Sequence, residues 1–386
     1  MINVLIIGGG TQGLAFARAL SKLNCRVFML VEEKGSYADS SRYVFQRVSI
    51  SAPLESELYL DYLVSLIRDK QIDAVIPMGD ASARFISKNI NVLSAVTGVK
   101  FPPIEAFMKG YDKNQLMALC LQKGYPHPAT LDLNKVSVHD DSVRNFCYPA
   151  MLKPNQTTGG RGMIRVDSHE ELLHHYDAMH QIYGDYHLQA FIPAGGRQFK
   201  VQLYVDELGE LLQSTVMQKV RWFPPEAGSN CCAMSVEIPV LVKVCHMILK
   251  DIGWLGFADL DIIEDPRDGQ LLVMEINPRV PACIKLPIMA GVNWAEVILN
   301  GYLSKPQAHY SYITGIVLRH LGLDTLWFLK SGARWKTQPS WFHFMGSRVF
   351  YQDMSDWTDP APFIKGTLHN VKSLLNPKFR EAKGLR

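Results

Sequence analysis

Apolar residues in the first hundred positions fall in short solid runs separated by stretches of helical spacing. Ile2–Ile7 is an unbroken run ending at Gly8-Gly9-Gly10, which predicts a buried strand and a tight turn. Leu14 to Leu23 repeats apolar residues at helical intervals, Arg26–Val31 is a second run, Tyr59–Ile67 is amphipathic and Asp73–Pro77 is a third short run. Buried strands alternating with helices predict a parallel, doubly wound α/β sheet over residues 1–108. Phe101-Pro102-Pro103 marks its end.

Beyond it the pattern is α+β. Residues 104–125 predict a helix, clearest over Lys113 to Lys123. Tyr148–Pro154 predicts a strand that enters the polar, glycine-rich stretch Asn155–Gly162, after which Met163–Val166 resumes a strand. Ser168–Tyr183 predicts a helix with Ser168 as N-cap and Glu171 completing a capping box. His187–Ile192 predicts a strand. Phe199–Val205 alternates strictly, with Phe199, Val201, Leu203 and Val205 on one face and Lys200, Gln202 and Tyr204 on the other. Pro239–Ile252 predicts a helix. Phe257–Glu264 and Gln270–Asn277 predict two strands joined by the turn Asp265–Gly269. The expected division is 1–108, 109–305 with a smaller lid subdomain at about 125–190, and a C-terminal extension over 306–386.

Composition narrows the class. The 386 residues suit two or three domains, and 47% hydrophobic with 20% charged residues fits a globular enzyme. A net charge of +3 gives no reason to expect nucleic acid as a partner. No apolar run approaches the length of a membrane span, and no basic region precedes the first apolar run, so neither a transmembrane segment nor a signal peptide is expected. The seven cysteines show no CxxC or zinc spacing and fit a cytoplasmic location, with Cys231-Cys232 read first as two small buried hydrophobes and second as a reactive adjacent pair. The extension holds four of the seven tryptophans, and Ala361–Arg386 carries six Lys and Arg against Glu381 alone.

Three stretches carry candidate chemistry. Gly8, Gly10 and Gly13 form Gly-x-Gly-x-x-Gly between a strand and a helix, and Glu32 follows where a ribose-binding acid would stand. Alone this suggests an NAD(P) oxidoreductase; the plainer reading is a βα turn. Lys153 precedes Thr157-Thr158-Gly159-Gly160-Arg161-Gly162, a loop able to close over phosphates between two basic residues; a hairpin with a mobile tip is the alternative. In the strand pair about Arg267, period 2 puts Asp259 and Asp261 on one face and Glu275 and Asn277 on one face of the next strand. With the hairpin symmetric about Arg267 these faces coincide. Carboxylates and an amide together suit Mg²⁺, against the alternative of a solvated polar face.

The order of these motifs resembles the ATP-grasp superfamily of carboxylate–amine and carboxylate–thiol ligases. It runs from a doubly wound domain through Tyr111-Asp112-Lys113, Lys153 with its glycine loop, Leu188–Pro193 and Asp261 to Glu275-Ile276-Asn277-Pro278-Arg279. The resemblance covers about residues 1–305 and makes the first domain a Rossmann-like, pre-ATP-grasp domain. The tail, with Asp359-Pro360-Ala361-Pro362, more loosely resembles that of D-aspartate ligases and carbamoyl-phosphate-synthase-like proteins. The resemblance implies ATP bound between two α+β subdomains and a carboxylate activated as an acyl phosphate for attack by an amine, with an amino acid or peptide as substrate. It implies Lys113 and Lys153 on the phosphates, Gly159, Gly160 and Gly162 in the lid loop, and Gln189, Phe191 and Ile192 at the hinge against adenine. Asp261, Glu275 and Asn277 would hold Mg²⁺ (or Mn²⁺), and Arg279 would steady the transferred phosphate. Arg221 would clamp a substrate carboxylate with its fork. Ala190 and Gln198 depart from the pattern, replacing an acid at the hinge and a ribose-binding Glu. They motivate the alternative of a catalytically altered nucleotide-binding protein. In the tail, Phe363, Ile364, Leu368, Val371, Leu374 and Leu375 at helical spacing among lysines read first as a helix docked on the body and second as a membrane-surface helix.

Overall fold

The computed structural model describes residues 1–31, 36–156, 162–225, 228–352 and 356–375. The strands are β1 (Ile2–Ile7), β2 (Cys25–Leu30), β3 (Val44–Val48), β4 (Ala74–Pro77), β5 (Thr130–Asp132), β6 (Ala150–Pro154), β7 (Ile164–Val166), β8 (Tyr186–Ala190), β9 (Gln198–Val205), β10 (Leu211–Phe223), β11 (Ser229–Val236), β12 (Gly256–Glu264), β13 (Leu271–Asn277), β14 (Val317–Arg319) and β15 (Val349–Tyr351). They distribute over two compact units. One comprises Met1–Phe107, Lys200–Asp259 and Asn277–Arg386, and the other Met108–Phe199 and Leu260–Ile276.

In the first unit, β3-β2-β1-β4 form a parallel sheet. Val4 to Ile7 and Ala74 to Ile76 are fully enclosed, which is why these strands read as solid apolar runs. The helix Glu57–Asp69 starts where Ser56 accepts from the Tyr59 amide, and it buries Tyr59, Leu63 and Ile67 at intervals of four. The same unit holds β9, β10, β11, β14 and β15, adjacent in that order in a second sheet. The antiparallel pair β10–β11 runs from Val216↔Val236 to Phe223↔Ser229 and is irregular around Arg221. Residues 306–386 contribute two of these strands: β14 pairs with β11, and β15 with β14.

In the second unit, β5-β8-β6-β7 form an antiparallel sheet in which Lys153 lies opposite His187 and Met151 opposite Gln189. Its core includes Leu133, Leu152, Val166, Leu172 and Leu188. The single helix expected over 104–125 is two, Ile104–Tyr111 and Lys113–Lys123. Asp112 interrupts it because its carboxylate accepts from the amides of Asn114 and Gln115 and caps the second helix. At the helix His169–Tyr183, Ser168 caps the Glu171 amide at 3.3 Å as expected, while Glu171 reaches back to the Asp167 amide at 2.7 Å instead of to Ser168.

The turn between β12 and β13 is displaced from the expected symmetry about Arg267. Asp265 N–H donates to Gln270 O at 2.8 Å and Gly269 N–H to Asp265 O at 2.8 Å, so the turn centres between Arg267 and Asp268, not on Arg267. Gly269 has φ 76°, a left-handed conformation that glycine adopts without the steric penalty of a side chain.

Candidate active site

The second unit gathers a compact charged group. Lys113 opens its helix, and its Nζ lies 3.2 Å from Glu275 Oε2. Lys153, buried on β6, donates through Nζ to Gln189 Oε1 at 2.6 Å, and Gln189 Nε2 donates to Thr130 Oγ1 at 3.1 Å. Burial pulls the Lys153 ammonium down from 10.5 to about 8; the Glu275 carboxylate opposes this and the Lys113 charge adds to it. A lysine held this way is easily discharged and gains from any anion brought to it.

His187 belongs to the same group and sequence reasoning missed it. It is fully buried opposite Lys153 on β8, and burial with the Lys153 and Lys113 charges drives its pKa well below the ordinary value, so it is neutral. Its Nδ1 lies 2.8 Å from Asn155 Oδ1, an acceptor only, so Nδ1 carries the proton. Asn155 begins the glycine-rich stretch, and its backbone O accepts from the Lys113 amide at 3.4 Å. The entry to that stretch is therefore tied to both lysine-bearing elements. Period 2 backward from Gln189 along β8 was the available signal for His187.

The other expected residues of this unit are placed as follows. Arg165 lies 4.7 Å over the Phe191 ring, and Ile192 follows it half-buried. Gly162 O accepts from the Tyr186 hydroxyl at 3.1 Å. Gly159 and Gly160, with Thr157, Thr158 and Arg161, lie outside the described residues, as does Glu32. Asp261 on β12 and Glu275 on β13 are both half-buried. Among the described residues no three His, Cys, Asp or Glu side chains gather to hold a metal. Asp261 and Glu275 are acids of this unit able to offer oxygen ligands.

In the first unit, Asn277 is held by a buried polar ladder. Asp259 accepts from Lys200 Nζ at 2.7 Å and from Gln202 Nε2 at 2.6 Å, and Asn277 Nδ2 donates to Asp259 O at 3.3 Å. Gln202 Oε1 accepts from Thr215, whose hydroxyl accepts from Trp294 Nε1. The polar face of β9 is thus an interior seam. Arg279 Nε donates to Asp80 Oδ1 at 2.9 Å at the start of the helix Asp80–Lys88.

Arg221 is not placed as a substrate clamp. Its fork is taken up inside the unit: Nε and Nη2 meet the two Asp324 oxygens at 2.7 and 3.0 Å, and Nη1 donates to Pro339 O at 2.8 Å. Arg319 shares Asp324 at 2.7 Å, and all three side chains are at most 1% exposed. The arginine fastens the C-terminal segment to β10. The glycine turn at 8–13 is likewise engaged internally, since Gln352 Nε2 donates to Thr11 Oγ1 at 2.8 Å and the Ala38 amide to Gly9 O at 2.9 Å.

No protein-family model matches the chain. It is 20% identical over 293 residues to the carbamoyl phosphate synthase large chain, C-terminal section, of Methanopyrus kandleri, covering 72% of this chain and 53% of that one. It is 24% identical over 281 residues to D-aspartate ligase of Enterococcus faecium, covering 67% and 66%. The chain therefore spans only about half to two thirds of these relatives. Biotin carboxylase of Campylobacter jejuni, solved as a β,γ-ATP complex, superposes with a TM-score of 0.66 at 17% identity, covering 80% of this chain and 73% of that one. The biotin carboxylase domain of Hydrogenobacter thermophilus 2-oxoglutarate carboxylase, solved with MgADP and bicarbonate, gives 0.65 at 16%, covering 82% and 73%. The chain has the ATP-grasp fold. The ATP-grasp resemblance read from Lys113, Lys153 and Glu275 to Arg279 is borne out by these relatives and by the fold, as is the mixed α/β and α+β class.

Proposed function

We propose that the chain is an ADP-forming, Mg-ATP-dependent ligase that activates a carboxylate as an acyl phosphate for attack by an amine, with an amino acid or peptide as substrate. The observation that carries this reading is the Lys113–Glu275 pair, at 3.2 Å, beside the buried Lys153 at the entry to the glycine-rich stretch. Phosphoryl transfer asks for positioning and charge neutralisation more than for a protein nucleophile, and two lysines with an acid supply that.

Lys113 and Lys153 hold the ATP phosphates, with Gly159, Gly160 and Gly162 as the lid. Gln189, Phe191 and Ile192 contact adenine, and Gln189 also orients Lys153. Asp261 and Glu275, with Asn277 as the third residue of the motif, would supply oxygen donors of the kind that Mg²⁺ (or Mn²⁺) takes, and Glu275 already has a cation beside it in Lys113. The ion supplies neutralisation of the terminal phosphate oxygens. Arg279, oriented by Asp80, steadies the transferred group. The relative named D-aspartate ligase and the neighbours solved with ATP or MgADP support this assignment. The described chain holds all seven cysteines free, which suits the cytoplasm.

The test is ADP release from ATP and Mg²⁺ with amino-acid mixtures. Release that needs both an added carboxylate and an added amine is the expected result. ATP binding without release in any mixture would instead favour an altered nucleotide-binding protein, and saturable NADH binding an oxidoreductase.

A further inference from the structure

The helix Ala361–Leu375 has one edge docked and one stripe exposed. On the docked edge Pro362 and Gly366 are buried, and Gly366 lies so close to Tyr37 that a Cβ would overlap the ring. The chain just before the helix is pinned. Asp359 accepts from Ser41 Oγ at 2.7 Å and the Arg42 amide at 2.9 Å, and meets Arg18 at 3.1 Å.

On the exposed side stand Ile364 (54%), Leu368 (56%), Val371 (50%) and Leu375 (76%). Their spacing of four, three and four places them in one stripe along the helix. Lys365 and Lys372 are exposed beside it, and the sequence onward adds Lys378, Arg380, Lys383 and Arg386 against Glu381 alone. Four large aliphatics held outward in a row are unfavourable in water, and the anchored edge prevents the helix from rolling to hide them.

We infer that this helix lies in the surface of an anionic lipid bilayer, with the Ile364–Leu368–Val371–Leu375 stripe at the acyl boundary and Lys365 and Lys372 among the headgroups. A 15-residue helix is about 22 Å long, short of the roughly 30 Å hydrocarbon core, so it lies in the plane of the interface. No helix among the described residues is long and apolar enough to cross a membrane. Charge selects lipid over a second copy of the chain, because pairing two stripes would bring Lys365 and Lys372 of both copies together, with no acidic side chain on this helix to offset them. Side-chain chemistry selects lipid over nucleic acid, because an aliphatic stripe offers no ring faces for base stacking.

The test is sedimentation of the full chain with vesicles of phosphatidylcholine alone and mixed with phosphatidylglycerol. Binding at least about tenfold stronger to the anionic vesicles, weakening with salt, is expected. Leu368→Glu with Val371→Glu abolishes it. Lys365→Gln with Lys372→Gln, which leaves the stripe intact, weakens it about tenfold and keeps the test valid should the glutamate variant misfold. Equal affinity for neutral vesicles, no vesicle binding, binding to an oligonucleotide as strong as to vesicles, or a dimer dispersed by the glutamate variant would each overturn the proposal.

Discussion

Lys200 Nζ lies 2.7 Å from Asp259 Oδ2, with the two side chains 12% and 0% exposed. By strand periodicity Asp259 looks like a spare acid beside Asp261, whose neutralisation would be a mild control for the metal ligand. The structure makes it the anion of a buried pair that also holds Gln202 and Asn277. Removing one partner of such a pair leaves a charge without compensation. Asp259→Ala should cost about 3–5 kcal/mol in urea unfolding, and Asp259→Leu paired with Lys200→Met should recover part of it. An unchanged urea midpoint for Asp259→Ala would show that the pair contributes nothing.

Arg221 yields a second stability prediction. Lysine cannot reproduce its two-pronged contact with Asp324 or the bond to Pro339 O. Arg221→Lys should lower the melting temperature and expose the C-terminal segment to limited proteolysis, with substrate KM unchanged in the fraction that stays folded. A raised KM for the carboxylate at an unchanged melting temperature would restore the clamp reading.

What was legible in the sequence is local. Ile2–Ile7 and Pro239–Ile252 are visible end to end because burial on both faces and a Pro at the first helical turn write themselves into neighbouring positions. Ser168 was legible as a cap for the same reason. The strand β10 was not, because its polar residues answer to distant partners: Thr215 bonds Gln202 and Trp294, and Arg221 reaches Asp324 across 103 positions. The candidate site divides likewise. Lys113, Lys153 and Glu275 stand in recognisable motifs, whereas the burial that tunes Lys153 and the pairing of Lys200 with Asp259 exist only after folding.

Lys153 predicts a pH dependence. Its folded pKa of about 8 lies below the ordinary 10.5, so the folded chain disfavours the ammonium. Below about pH 8 the apo protein bears that cost, about 3 kcal/mol; it is relieved as pH rises from about 8 to 10.5. Nucleotide binding runs the other way, since phosphates favour the charged form. ATP affinity should be flat near neutrality and fall above about pH 8, by up to about tenfold per unit. Calorimetry at pH 9 in two buffers of different ionisation enthalpy should show proton uptake, and Lys153→Met should abolish it while raising apo stability at pH 7. Affinity independent of pH from 7 to 9 would remove Lys153 from the phosphate site.

Glu275 is the residue on which the ligase reading stands or falls. Its pair with Lys113 is partly open to solvent, 32% and 15% exposed, so losing the charge should cost under about 1 kcal/mol and leave the fold intact. Its electrostatic role is larger than its structural one. The carboxylate counters the burial of Lys153 and belongs to the proposed oxygen donors. Glu275→Gln keeps the shape and removes the charge. Metal-dependent ADP release should fall by roughly two orders of magnitude or more, and Lys153 should titrate lower still, moving the loss of ATP affinity to lower pH. A merely structural role would shift neither the metal dependence nor the pH midpoint. Full Mg²⁺-dependent activity in Glu275→Gln, with an unmoved pH midpoint, would refute the mechanism and the assignment of Glu275 as a ligand together.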